Sequence, residues 1–247
     1  MSLNANIKYE TDSIEAFYKE HRVAWDDFYL SEKVMFEKLN LTSESSVLDI
    51  GCGCGGLGKA LSSRFNVKDY VGIDINKKAI ETAKTLFPEF TFLAGDILDL
   101  ETNILLENKF DVVVSLSCID WNIEFDKMLT AAMNCVKPGG VFLSSFRLSN
   151  ETIKYCDSKS YQYINFQNQQ TGEQAPYIIL SPKDLFDKLR RFKPSEIKGY
   201  GYWASPSKTA ITPYEKICFI VLAITKGPSD QCEFSLEIPN DLACNYG

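Results

Sequence analysis

The sequence predicts an α/β fold, a doubly wound parallel sheet with helices on both faces. Three observations carry this. Strand-like and helix-like segments alternate as five βα repeats over about 100 residues, roughly 44–146. The strand-like segments are continuous apolar runs, as expected when helices cover both sheet faces. A glycine-rich turn in VLDIGCGCGGLG (47–58) directly follows the first strand, where doubly wound sheets bind ligands.

The elements follow in order. Residues 13–40 carry Phe17, Val23, Trp25, Phe28, Val34, Phe36 and Leu39 at helical spacing. They read as one or two amphipathic helices with Ser13 as N-cap, within an N-terminal arm over 1–43. SVLDI (46–50) is a strand and GLGKALSSRF (56–65) a helix. YVGIDI (70–75) and KKAIETAKTLF (77–87) repeat the pattern, followed by FTFLAGD (90–96) and a weakly helical 98–107. FDVVVSLS (110–117), FDKMLTAAMNCV (125–136) and GVFLSSF (140–146) complete the repeats. The rhythm then breaks. Residues 147–180 are polar, Asn/Gln-rich and tyrosine-rich, and a long irregular stretch of this kind reads as a lid or binding insert. SPKDLFDKLRRF (181–192) starts a helix with Ser181 as N-cap and Pro182 at its first position. Residues 195–203 suit a further strand, and KICFIVLAITK (216–226) is the last strong one. The tail, 227–247, reads as peripheral. No repeat or linker divides the chain, so 1–247 is expected to be one domain with a 44–226 core.

Composition narrows the partners. The 247 residues suffice for a sizeable core. A net charge of −7 gives no general attraction for phosphate backbones or anionic membranes, so nucleic acid is a poor expectation. The one dense basic run, KLRRFK (188–193), reads as a solvated helix face. Eight cysteines contain no CxxC pair, and the single histidine, His21, is far from any cysteine pair. No metal site is therefore expected, and the thiols suit a reducing cytoplasm. No signal peptide opens the chain, and no apolar run reaches the roughly 18 residues of a membrane-spanning helix.

The glycines concern a ligand. A strand passing into a helix through a tight turn exposes unpaired N–H groups, and glycine lets a ligand approach the main chain. Gly51, Gly53 and Gly56 satisfy GxGxxG, the dinucleotide pattern. Asp49, however, would repel a pyrophosphate and suits an ammonium or hydroxyl group. In sequence order the chain resembles the class I S-adenosylmethionine-dependent methyltransferases. VLDIGCGCGGLG is similar to their first motif, hhDhGxGxG, and VGIDINKKAI (71–80) to their second. FLAGDI (92–97) resembles the third, FDVVVSLS the fourth, and VKPGGVFLSS (136–145) the approach to strand 5.

The resemblance implies a Rossmann-like seven-stranded sheet of order 3-2-1-4-5-7-6, strand 7 antiparallel. It implies S-adenosyl-L-methionine as cofactor, held by Asp49, Gly51, Gly53, Gly55, Asp74, Ile75, Asp96, Ile97, Ser115 and Leu116. Asp74 would accept from the ribose diol, Asp96 would sit near the adenine amino group, and Ile97 would lie beside the ring. The implied activity is methyl transfer by direct displacement to a small-molecule acceptor. Asp120 and His21 are the candidate catalytic groups, and Trp121, Asn122 and Tyr177 the candidate pocket. CIDWN (118–122) lacks the proline of the (D/N)PP(Y/F/W) tetrapeptide that amide-nitrogen methyltransferases carry there. A NAD(P)-dependent oxidoreductase and a non-catalytic S-adenosylmethionine-binding protein are the alternatives, and RNA methylation stays open.

Overall fold

The computed structural model describes Tyr18 and residues 21–99, 102, 106–107, 109–150, 160–164, 168–227 and 231–243. The Ser13 cap and half of the expected 98–107 helix lie outside these residues. The strands of the main sheet are β1 (Ser46–Ile50), β2 (Asp69–Asp74), β3 (Thr91–Ala94), β4 (Phe110–Ser115), β5 (Val136–Leu148), β8 (Glu196–Ala204), β10 (Ile217–Thr225) and β11 (Glu233–Glu237). They lie in the order β11-β8-β10-β5-β4-β1-β2-β3. β1 pairs in parallel with both β2 and β4, whereas β10 runs antiparallel to β5 and β8.

Strand alternation sorts the apolar side chains onto two faces. Val47, Val112, Val114, Leu143 and Val221 pack with α1 (Leu30–Glu37), α2 (Gly56–Phe65) and α3 (Lys77–Leu86). Their neighbours Leu48, Val113, Phe142, Ile220 and Leu222 pack with α4 (Phe125–Cys135) and α5 (Pro182–Arg190). Both faces are thus covered, as the continuous apolar runs require. Local signals hold too. The Asn76 side chain accepts from the N–H groups of Lys78 and Ala79 to cap α3, and Ser181 accepts from Asp184 to cap α5.

The structure corrects two expectations. The sheet has eight strands, not seven, because the tail adds β11 in parallel beside β8 and ends in the short α6 (Asn240–Ala243). Phe234 of β11 packs edge-on against Phe186 at 5.6 Å, and the Trp203 indole donates to Asp241 at 2.8 Å. An edge strand has one neighbour, so CEFSLE needs little apolar character and reads weakly. The insert is not wholly irregular. β6 (Tyr161–Tyr163) and β7 (Gln174–Pro176) form a small antiparallel sheet with β9 (Ala210–Ile211), which comes from the β8–β10 connection. Strands of two or three residues are too short to show a period.

In the described part of the arm, the expected one or two helices are met by α1, which begins at Leu30 after a single 3-10 turn over Trp25–Asp27. Arg22, in the left-handed region at φ 61°, pairs with the buried Glu32 at 2.9 Å. The Trp25 ring stands edge-on to Phe65 at 5.3 Å. These contacts lay the arm across the first turn of α2. A Cβ on Gly56 would come within 2.2 Å of the Arg22 carbonyl oxygen. Gly56→Ala must push that main chain away, and its expected cost is about 1–3 kcal/mol. A urea titration measures it, and an unchanged midpoint would show that the arm does not rest there.

Candidate functional site

β1, β2 and β3 end on one side of the sheet, and the chain leaving β4 turns there as well. Between them opens a cleft of about 600 Å³, in part continuous with solvent. The turn after β1 is built from inside. The N–H groups of Gly51 and Cys52 both donate to the Ile73 carbonyl oxygen, at 2.8 and 3.2 Å. Gly51 sits at φ 80°, and a Cβ there would lie 2.7 Å from the Cys118 sulfur. The third N–H, of Gly53, donates to Asp74 Oδ2 at 2.8 Å, and Asn76 N–H donates to Oδ1 at 2.8 Å. Asp74 therefore closes the turn from the end of β2. Burial pushes its carboxyl up, and the Asn76 and Gly53 N–H groups only partly offset that.

Seven sequence-predicted residues border the cleft: Gly51, Asp74, Ile75, Asp96, Ile97, Trp121 and Asn122. Ile75 is 42% exposed beside the nearly buried Asp74, a large apolar side chain left open next to a hydrogen-bond acceptor. Asp96 uses Oδ1 to accept from Leu98 N–H at 2.9 Å. Sequence reasoning missed Ile50, Ile73, Gly95, Ser117, Cys118 and Met128, which complete the lining. Their signal was position alone, at or just beyond strand ends. Met128 comes from α4 and had none.

The other candidates stand elsewhere. Gly53 lies in the turn against Tyr18, and Gly55 backs onto the Phe92 ring. Ser115 is fully buried, and Leu116 packs into the α1–α3 face. His21 is exposed at a bend in the arm. Asp120 and Tyr177 are buried behind Trp121, around the Arg147 guanidinium. Arg147 Nη1 stands 3.3 Å from Asp120 Oδ2 and donates to the Asp120 carbonyl at 3.1 Å. Its Cζ lies 3.8 Å from the Tyr177 ring centre and 5.6 Å from that of Trp121. Burial pushes the Asp120 carboxyl up, while Arg147 and the residue's own N–H pull it down. The Asp120 carbonyl also accepts from Ile178 N–H at 3.0 Å, pinning the insert to the segment after β4.

Asp49 faces away from the cleft and into the core. It is buried beneath α2 and accepts from the Tyr70 hydroxyl at 2.5 Å. Burial raises its carboxyl to about 7, against the lowering hydrogen bond from Tyr70. The sign follows from linkage. The folded chain holds this proton up to about pH 7, whereas an unfolded carboxyl releases it near pH 4. Its stabilising contribution is complete below the unfolded value and lost as pH rises through the folded one. Asp49→Asn keeps an acceptor for Tyr70 and cannot titrate. It should flatten a fall in stability of about 1–4 kcal/mol between pH 4 and 7, read from urea midpoints. An unaltered pH profile would show that Asp49 is ionised in the folded chain.

The cleft thus combines a carboxylate with unused lone pairs, an open apolar side chain, a second carboxylate and a turn with no side chains in the way. These features fit a nucleoside with a sugar diol. Comparison with known proteins agrees. A family model described as a methyltransferase domain matches residues 41–188. The ubiquinone biosynthesis O-methyltransferase of Dechloromonas aromatica is 28% identical over 160 residues, covering 63% of this chain and 68% of that protein. The malonyl-[acyl-carrier protein] O-methyltransferase of Brevibacillus brevis is 26% identical over 145 residues, covering 54% and 52%. The chain spans only 40%, 52% and 35% of the lengths of three of the first curated relatives it matches. A solved S-adenosylmethionine-dependent methyltransferase from Methanosarcina mazei superposes with a TM-score of 0.60 at 18% identity, over 82% of this chain and 99% of that one. At that identity the likeness speaks for the fold alone. The family match covers more than half of the sequence, and on it the chain belongs to the methyltransferase-domain family.

Proposed function

We propose that this protein transfers a methyl group from S-adenosyl-L-methionine to a small-molecule acceptor. The observation that carries the reading is Asp74. Its carboxylate closes the glycine turn, borders the cleft and stands beside an exposed Ile75. Each carboxylate oxygen accepts one main-chain N–H and keeps a lone pair for a ribose hydroxyl. Charge-assisted bonds of this kind are strong. Asp96 would serve the adenine amino group, Ile75 and Ile97 would flank the ring, and Gly51 would leave room for the sulfur-bearing arm. Bound there, the cofactor supplies a methyl carbon on a sulfonium, whose leaving group is a neutral thioether. Little is then asked of the protein beyond alignment and exclusion of water. Trp121, Cys118 and Met128 also border the cleft and would face the acceptor. The insert over 147–180 and the arm would cover it, within one 1–247 unit.

Dinucleotide chemistry fits less well. A pyrophosphate needs free N–H groups at the turn, yet those of Gly51, Cys52 and Gly53 are committed to Ile73 and Asp74. Nucleic acid is a poor partner too, because the basic run is neutralised locally. Lys188 and Arg191 pair with Asp126, and Arg190 pairs with Asp187. Among the described residues no helix is long and apolar enough to cross a membrane. Cys52, Cys54, Cys118, Cys135, Cys218 and Cys232 are thiols, which supports a reducing, cytoplasmic location. His21 is exposed in the arm and does not line the cleft.

Mass spectrometry of the purified, denatured protein tests the reading. Co-purifying S-adenosylmethionine or S-adenosylhomocysteine is expected, and a nicotinamide nucleotide would overturn it. In calorimetry, Asp74→Ala should weaken S-adenosylhomocysteine binding about 10-fold or more. Unchanged affinity would remove Asp74 from the cofactor site.

A further inference from the structure

The polar group behind Trp121 is larger than a structural ion pair needs. Three buried polar atoms there have no hydrogen-bond partner among the described residues: Asp120 Oδ1, Trp121 Nε1 and the Tyr177 hydroxyl. The Ser207 main chain lies near enough to lower the Tyr177 phenol, but it makes no hydrogen bond to it. Native chains rarely leave buried polar atoms unpaired, and a cluster of them calls for an explanation. All three belong to residues that touch one guanidinium, that of Arg147. Trp121 also borders the cofactor cleft. We infer that this cluster is the subsite for the methyl acceptor, and that it takes a neutral hydroxyl group.

The charge and donor pattern selects that chemistry. Arg147 and Asp120 form a pair without net charge, and Arg147 is the charged group acting on Asp120. A carboxylate acceptor would stand against the unpaired oxygen of Asp120, with the nearest guanidinium nitrogen already committed. An ammonium would suit Asp120 but would face the guanidinium, and the Trp121 N–H would then meet another donor. Either charge would be desolvated without a partner of its own. A hydroxyl carries one donor and two lone pairs, so a single such group could donate to Asp120 Oδ1 and accept from Trp121 Nε1 and the Tyr177 hydroxyl at no cost in charge. The aromatic faces of Trp121 and Tyr177 suit an acceptor whose hydroxyl sits on a flat apolar body.

The inference rests on the cofactor reading above, and one experiment separates the two. Nitrogen-15-labelled protein is saturated with S-adenosylhomocysteine and titrated with phenol, benzoate, benzylamine and toluene. The readout is the Trp121 indole N–H resonance, assigned by its loss in Trp121→Phe. Phenol should shift it and bind most tightly of the four. Tyr177→Phe should weaken phenol about 5–10-fold and leave S-adenosylhomocysteine affinity unchanged. Its melting temperature should stay level or rise, because the hydroxyl removed has no partner in the free chain. A melting temperature that falls, with phenol affinity unchanged, would make Tyr177 a structural residue and overturn the assignment. Benzoate, benzylamine or toluene binding as tightly as phenol would overturn it too, as would no shift with phenol. Failure of wild-type protein to bind S-adenosylhomocysteine would instead overturn the cofactor reading.

Discussion

The bond from Gly53 N–H to Asp74 is the constraint on which the site depends. It joins the end of β2 to the turn after β1, at 2.8 Å, and fixes the glycine loop. The Gly51 and Cys52 N–H groups tie the same loop to β2 through the Ile73 carbonyl. The turn is therefore shaped by its own sheet rather than by a phosphate. This is the physical difference from a dinucleotide turn of similar spelling, in which main-chain N–H groups point at the ligand. GxGxxG is common to both. What separates them is where the N–H groups go, and that is visible only once the strands are paired.

Much of the fold was legible because its signals are local. Runs such as FDVVVS and ICFIVLAIT are apolar on both faces, and only a strand covered by helices tolerates that. α2 begins where the glycines end, and α5 begins at the Ser181-Pro182 pair. The order of seven strands followed from resemblance rather than from periodicity. The eighth did not, since β11 lies at an edge and its pairing partner β8 is some 37 residues away in register, as Glu233 opposite Glu196 shows. The small sheet of β6, β7 and β9 was hidden for the same reason. Its strands are short, and one of them comes from another part of the chain.

The two ends of the site differ in legibility. Asp74, Ile75, Asp96 and Ile97 sit at fixed offsets from strand ends, so their place in the cleft could be read from sequence. Asp49 also sits at a strand end, but strand alternation points it into the opposite face, toward Tyr70. Its spelling belongs to a motif, and its geometry belongs to the core. Arg147 had no signal at all. It lies in a strand beyond the motif region, and its meaning comes from Asp120, Trp121 and Tyr177, which reach it from two other segments.

Three carboxyls gather where the strands end: Asp49, Asp74 and Asp120. Burial pushes all of them up, and Asp74 pushes Asp49 further. Well-packed apolar residues would give a more stable sheet end, because buried charge seldom repays its desolvation. Such strain is tolerable where a ligand offsets it. A nucleoside diol on Asp74 and a hydroxyl on Asp120 would supply hydrogen bonds that the free chain lacks, and binding to the folded state alone stabilises it by mass action. The destabilising groups and the binding groups are then the same atoms. Asp49 is the exception, since its side chain turns into the core and is already bonded to Tyr70, so no ligand bond would relieve it. Its effect on stability should persist when the cleft is filled, whereas that of Asp74 should diminish.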